Sequence, residues 1–265
     1  MRIMRDYHVH SYLCRHGEGE IYEYVEAAIE KGLSEIGFAE HVPIPLINDP
    51  DGRMHIGDFE TYIEDIVSAK KEYPEISIKF GLEADYLPTH MEFISQFINA
   101  YPFDYIIGSV HFVDDWDFSN PAFAYRIEEV GVDYLYKRYY QLIGEAAMLD
   151  LYDVIGHFDL PKKLNINPSI DVETLVKKAL KAINTSGLAL DINTSGLRKK
   201  EKELYPAPTI IEQACQMDIP VIIGSDAHRP ADVAADFEQT TELLKRIGYD
   251  SSCTFKRRQR SLIPL

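Results

Sequence analysis

The chain has 265 residues, of which 46% are hydrophobic and 26% charged, a length and composition suited to a single domain over residues 1–265 that needs no disulfide to fold. Its 43 acidic against 27 basic residues give a formal charge of −16, which argues against a nucleic-acid partner and against docking on an anionic membrane. No apolar stretch is long enough to span a bilayer, the N-terminus lacks the apolar core of a signal peptide, and Cys14, Cys215 and Cys253 form no C-x-x-C pair, so the expected location is the reducing cytoplasm.

Strand and helix patterns alternate along the chain. Strands are predicted at 5–10, 35–40, 77–83, 105–111, 153–157, 189–193 and 221–225. Helices are predicted at 21–31, 59–72, 90–99, 133–149, 172–184, 209–217 and 236–247. Ile21, Tyr22, Val25, Ala28 and Ile29 repeat at helical spacing, and Lys31-Gly32 reads as the stop. Asp171 is placed as the N-cap of the fifth predicted helix, 172–184, and Asn184 to Gly187 breaks it. Repeated β-then-α order calls for a parallel sheet. Seven such units in this length favour a closed barrel over an open doubly wound sheet, although periodicity alone leaves both standing. No glycine-rich phosphate loop follows any strand, which weakens a nucleotide-binding reading. Two long loops are expected, 42–57 with Pro43, Pro45, Pro50 and Gly52, and 112–131 with Trp116 amid Asp114, Asp115 and Asp117. The tail after Asp250 carries Lys256, Arg257, Arg258 and Arg260 and reads as a solvated end.

The chemistry lies where the strands stop. Of nine histidines, seven close or directly follow an apolar run: His8, His10, His16, His41, His111, His157 and His228. Glu83 and Asp226 hold equivalent positions. Residues i and i+2 of a strand face the same way, so His8 and His10 can share one ion. Taken singly, an H-x-H pair is a weak signal, and a lone buried histidine is more often a hydrogen-bonded core residue. Nine such groups gathered at one end of a sheet would leave costly unpaired donors and charge unless metal is bound. Zinc takes about four ligands, so nine exceed one ion, and a bridging Glu83 with three ions would use them all. The donor set suits Zn, Fe or Mn. Two or three such ions are suited to phosphoester hydrolysis. His55, in the first long loop, and His90, at a helix start, read as structural or solvent-facing, with His55 also able to reach substrate.

The ordered set H-x-H, His16, Glu40-His41, Gly81-Leu82-Glu83, Gly108-Ser109-Val110-His111, Gly156-His157 and Ser225-Asp226-Ala227-His228 resembles the polymerase-and-histidinol-phosphatase (PHP) family from Asp6 to about Gly248. Within it the chain is most similar to the monofunctional histidinol-phosphate phosphatases, in the segments VHSYLCRHGEGE, GLEADY and DINTSGLRKK. The resemblance implies a distorted (β/α)7 TIM-like barrel with a trinuclear metal site at the C-terminal ends of its strands. One ion would take His8, His10, Glu83 and Asp226. Glu83 would bridge to a second with His111 and His157, and a third would take His16, His41 and His228. The implied substrate is a small phosphomonoester, L-histidinol phosphate. Asp226 or His228 would pass a proton to the leaving alkoxide, and Arg198 would clamp phosphate, with Lys162 or Lys163 assisting or else solvated. Glu40 stands where many members have Asp, and would orient His41. Asp114, Asp115 and Asp159 are the expected partners of the substrate amine.

The competing enzyme readings are a PHP phosphoesterase for a nucleotide or phosphotyrosine, and an amidohydrolase-type deaminase or amidase. The last of these would want a lysine bridge, and no strand here ends in lysine. The non-enzyme reading is a metal-binding protein with a vestigial site, against which the complete ligand set speaks.

Overall fold

The computed structural model describes residues 4–45, 47 and 52–265. Pro50 of the expected 42–57 loop lies outside the described residues. The strands are β1 (Met4–Val9), β2 (Leu33–Phe38), β3 (Ser77–Asp85), β4 (Tyr105–Ser109), β5 (Phe112–Val113), β6 (Trp116–Asp117), β7 (Val154–Ile155), β8 (Ala189–Asn193), β9 (Val221–Gly224), β10 (Ser251–Lys256) and β11 (Gln259–Pro264). The helices are α1 (Ile21–Glu30), α2 (Phe59–Glu72), α3 (Met91–Ala100), α4 (Tyr125–Val130), α5 (Val132–Ala147), α6 (Val172–Ser186), α7 (Pro208–Gln216) and α8 (Phe237–Ile247). No helix among the described residues is long and apolar enough to cross a membrane.

One sheet runs β1-β2-β3-β4-β7-β8-β9, parallel throughout. It comes round on itself where Val9 bridges Ala227 in parallel and His10 N–H donates to Ala227 O at 2.9 Å. The fold is therefore the nearly closed seven-stranded barrel, not the open sheet. The strands are almost wholly buried runs, as expected where helices cover a parallel sheet. Local signals set the helix ends. Asp171 accepts from Glu173 N at 3.0 Å and Thr174 N at 3.4 Å, and Gly187 closes α6 in the left-handed region at φ 67°.

Two expectations are corrected. The 112–131 stretch is not simply a loop: it holds the β5–β6 hairpin and α4. Trp116, Phe118 and Ile127 drive this by packing with α5. The hairpin turns on Asp114 and Asp115, at φ 47° and 63°, so it lacks the Asn-Gly signature that flags such turns. The basic tail is a solvated end only in part: Lys256, Arg257 and Arg260 are exposed, but the segment is ordered. It folds as an antiparallel β10–β11 hairpin turning on Arg257 and Arg258, again without glycine. Cys253 and Phe255 enter the barrel core beside Tyr7, Tyr105, Ile107, Val154 and Ile222. Arg258 pairs with Asp153 and donates to Leu151 O at 2.8 Å. Asp104 and Asp153 precede β4 and β7, and Arg258 N–H donates to Asp104 O at 2.9 Å. The hairpin thus covers the N-terminal end of the barrel, opposite the end where the histidines gather.

Candidate metal centre

Each ligand candidate reaches the centre because its strand stops there. His8 lies in β1, with His10 just past its end; Glu83 lies late in β3; His111 and His157 follow β4 and β7; Asp226 and His228 follow β9. Glu83 stands in the middle, and its two oxygens divide the cluster. Oε2 lies 3.3 Å from His8 Nε2, 3.4 Å from His10 Nε2 and 3.1 Å from His41 Nδ1. Oε1 lies 2.9 Å from His157 Nε2 and 3.8 Å from His111 Nε2. Ser109 Oγ donates to Oε1 at 2.5 Å. Asp226 Oδ1 is 3.6 Å from His10 Nε2. The His228 ring stacks on that of His10 and lies tilted against that of His16, with centroids 4.5 Å apart in each case. The ligand atoms of His8, His10 and Asp226 come together, as do those of His10, His41 and His228, and of His41, Glu83 and His111. His41 thus sits between two groups rather than in one.

A further layer of side chains holds the imidazoles in place. Asp191 Oδ2 lies 2.8 Å from His8 Nδ1, and Asp85 Oδ1 lies 2.8 Å from His111 Nδ1. The backbone carbonyls of Cys14 and Asp226 fix His16 and His228 through Nδ1, at 2.9 and 3.0 Å. Asn193 Nδ2 and Ser195 Oγ each donate to Asp226 Oδ2 at 3.2 Å. Asp6 accepts from Ser225 N and Ala234 N, both at 2.9 Å, and so pins the loop after β9. His157 and Asp226 have φ of 21° and 52°, backbone strain that a surrounding network must hold and that gathers at functional sites. Gly224 is obligatory for a different reason: a Cβ there would meet His8 Cβ at 2.5 Å and Asp191 Oδ1 at 2.6 Å.

The electrostatics follow from burial and charge. Burial keeps His10 and His41 neutral, well below the usual imidazole range, and lowers His228 to about 4. Burial also opposes protonation of His8, yet Glu83, Asp226 and Asp191 outweigh it and hold His8 well above that range. At His111 burial is likewise outweighed by Asp85, and the ring titrates at about 9. Burial disfavours charge on Glu83 and Asp226, but the protonated ring of His8 beside both outweighs it and keeps both ionised.

The residues fit divalent metal. Among the described residues, His8 Nε2, both nitrogens of His10, His41 Nδ1, His157 Nδ1 and His228 Nε2 are buried without a hydrogen-bond partner. An unpaired buried polar atom costs about 1–3 kcal/mol. Imidazole nitrogens massed around two anionic carboxylates are relieved together by cations. Cys14 is a neighbour that composition did not flag: its Sγ lies within 4.8 Å of ligand atoms of His16 and His228. It donates to Ser11 O at 3.1 Å, and burial holds the thiol well above its usual range.

Above the cluster opens a cavity of about 880 Å³ whose wall includes Arg198, Lys163, Lys199 and Asp117. Arg198 lines it as expected, with Nη2 donating to Ser225 O at 2.6 Å and Nε 3.7 Å from Asp232. Lys163 lines it too, donating to Ser119 O at 3.0 Å. Lys162 does not: Asp159 at 2.9 Å, Glu203 at 2.8 Å and Leu204 O hold its ammonium away from the cavity. Asp159 is committed to Lys162 and to Ala207 N, Asp114 to Tyr134 and Arg138, and Asp115 to Thr89. None of these three carboxylates lines the cavity. Glu40 does not orient His41; its Oε1 accepts from Ser11 N and Ser11 Oγ, both at 2.6 Å, and burial raises it to about 8. His55 is exposed, and His90 meets Thr89 Oγ1 at 3.0 Å; neither lines the cavity. Asp85 and Asp191 were missed, although the spacing argument reaches them. Asp85 is i+2 from Glu83, and Asp191 is i−2 from Asn193 at the end of β8.

Known proteins are similar to this chain in sequence and in fold. The PHP domain profile matches residues 6–195. A protein of Deinococcus radiodurans named "Probable histidinol-phosphatase" is 38% identical over 96% of this chain and 97% of its own length. The histidinol-phosphatase of Bacillus subtilis is 35% identical over 90% of this chain and 98% of its own. The crystal structure of histidinol phosphate phosphatase from Lactococcus lactis, complexed with zinc, L-histidinol and phosphate, has a TM-score of 0.84 at 23% identity, covering 97% of this chain and 98% of that one. The last likeness shows the shared barrel, and the profile match with the two sequence relatives shows the lineage: the chain belongs to the PHP domain family.

Proposed function

We propose that this protein is a metal-dependent phosphatase that hydrolyses L-histidinol phosphate to L-histidinol and phosphate, a step of histidine biosynthesis. The observation that carries the reading is the division of the imidazoles between the two oxygens of Glu83 at the floor of an 880 Å³ cavity with cations on its wall. The relatives named histidinol-phosphatase supply the substrate.

Three divalent ions would use the whole donor set. His8, His10, Glu83 and Asp226 would hold one; Glu83, His111 and His157 a second; His16, His41 and His228 a third, with His41 shared in position between the last two. Seven imidazoles and two carboxylates suit zinc, iron or manganese. When bound, such ions supply a nucleophile at neutral pH and neutralise phosphoryl charge.

The chain's own residues do the rest. Asp191 and Asp85 set the tautomers of His8 and His111, so that Nε2 of each faces the centre. Arg198, Lys163 and Lys199 carry positive charge on the wall where phosphate would sit. Water adds to phosphorus as the bond to the alkoxide breaks, and one proton must travel from the nucleophile to the alkoxide. Asp226 and His228 stand 3.5 Å apart on the cavity wall. Asp226, with two carboxylate oxygens, can take that proton and deliver it; His228, with Nδ1 held by Asp226 O, can do so only when Nε2 is free of metal.

The test is phosphate release from L-histidinol phosphate by metal-loaded protein, with a nucleoside monophosphate and phosphotyrosine alongside. Strong preference for histidinol phosphate is expected. Turnover of another ester alone would keep the hydrolytic site and move the substrate; failure on every ester at full metal content would refute the reading.

A further inference from the structure

We infer that Asp117 reads the ammonium group of the leaving alcohol, an inference that rests on the substrate proposed above. In histidinol phosphate the amine stands only two carbons from the ester oxygen. A carboxylate that recognises it must therefore stand within a few ångströms of the ligand cluster. Distant acidic residues are excluded by that tether alone.

Of the carboxylates lining the cavity, Glu83 and Asp226 belong to the cluster, and Asp232 faces Arg198 at 3.7 Å. Glu18 is exposed, with Arg229 Nε 4.0 Å away. Asp117 is different. It is 9% exposed, on the cavity wall, with no ion-pair partner among the described residues. Its Oδ1 accepts from Ser119 N at 2.8 Å and Asn120 N at 3.2 Å, which leaves Oδ2 unspent. Lys163, which could have neutralised it, donates to Ser119 O instead.

Its position is set by the β5–β6 hairpin. Asp117 pairs with Phe112, the residue after His111, and Phe118 N–H donates to His111 O at 3.1 Å. The hairpin thus folds the chain back so that a carboxylate stands beside a ligand candidate. Alternation along β6 sends Trp116 into the core packed on α5, leaving Asp117 for the cavity. Arg198 and Lys199 follow β8, and β7 separates that strand from β4 in the sheet. Negative and positive groups are therefore presented from different strands, as a substrate with ammonium at one end and phosphate at the other requires. Lys163 and His111 stand near enough to feel its charge, but neither is within ion-pair distance, and a buried carboxylate that faces a cavity with a spare oxygen is satisfied by direct contact with a cationic ligand.

The competing role for Asp117 is only to cap its own turn. Asp117→Asn separates the two, because it keeps Oδ1 for Ser119 and Asn120 while removing the charge. The metal-loaded protein and this variant are compared on L-histidinol phosphate and on 3-(imidazol-4-yl)propyl phosphate, which lacks the amine, with metal content measured alongside. The unsubstituted protein should favour the amine-bearing ester in kcat/KM by roughly 10–100-fold, the range of a charge-assisted hydrogen bond. Asp117→Asn should lose most of that preference, chiefly through KM. A variant that keeps the full preference, whether or not both activities fall together, overturns the inference. Unsubstituted protein inactive on histidinol phosphate but active on other esters would instead strike the functional reading, and the inference with it.

Discussion

Asp191 gives the most direct test of how the centre is held. It is fully buried, and its Oδ2 lies 2.8 Å from Nδ1 of the equally buried His8. Asn193 Nδ2 also donates to that oxygen at 3.2 Å. Asp191→Asn can keep both contacts by placing its amide oxygen there, so geometry survives and charge is lost. A hydrogen bond to a charged group contributes about 1.5–3 kcal/mol against about 0.5–1.5 for a neutral one. The difference, about 1–1.5 kcal/mol, predicts roughly tenfold weaker metal binding. Asp191→Ala removes the acceptor altogether, frees the tautomer of His8, and should weaken metal by roughly 10–100-fold. Metal content is read by atomic emission after dialysis against graded chelator, and turnover is read again at saturating metal. In the Asn variant, turnover should recover most of the way once metal is restored. Metal retention by the Ala variant equal to that of the unsubstituted protein would show that Asp191 does not hold His8 for an ion.

Further outcomes follow from the same geometry. Glu83→Gln and His10→Ala should each abolish turnover and lower metal content, and normal activity in Glu83→Gln would sink the bridged arrangement. Arg198→Ala should lower kcat/KM at unchanged metal content; loss of metal instead would assign Arg198 to the loop after β9 rather than to phosphate. Loading metal-free protein with zinc at pH 7 should release protons, since His8 is held above its usual range and His111 titrates at about 9. The sign is that affinity rises with pH towards 9. In the metal-free protein the stabilising share of His111 is complete below about 6.5 and lost as pH rises through 9. Calorimetry in buffers of different ionisation enthalpy reads the release, and its absence contradicts the protonation scheme. Phe255→Ala should cost about 3–5 kcal/mol of stability, because the ring is buried against Tyr7 and Tyr105. Its kcat should change little, as the hairpin lies at the far end of the barrel; denaturant unfolding with a loss under about 1 kcal/mol would argue against the hairpin as part of the core.

What the sequence discloses, and what it hides, follows from the range of the forces involved. Each barrel strand is a short apolar run, and its final polar residue is visible because a buried charge next to such a run is costly. That is why His8, Glu83, His111, His157 and Asp226 stand out, and why the strands carrying them fell within a few residues of their observed ends. The two hairpins were invisible for the opposite reason. Asp114-Asp115 and Arg257-Arg258 adopt left-handed turns without glycine or asparagine, and each flanking strand is too short, or too exposed on one side, to show alternation. Asp117 was passed over because three aspartates share its loop, and only the hairpin register decides which of them faces the cavity. Pairing across the sheet is equally beyond one-dimensional reading: His8 and Asp191 are 183 residues apart, yet β1 and β8 both flank β9, and Gly224 gives them room to meet. Ligand candidates can therefore be read from where strands end, whereas the groups that orient them depend on which strands are neighbours. The second kind of information enters only with closure of the barrel, and it decides whether nine polar residues become a metal centre or remain a set of unpaired charges.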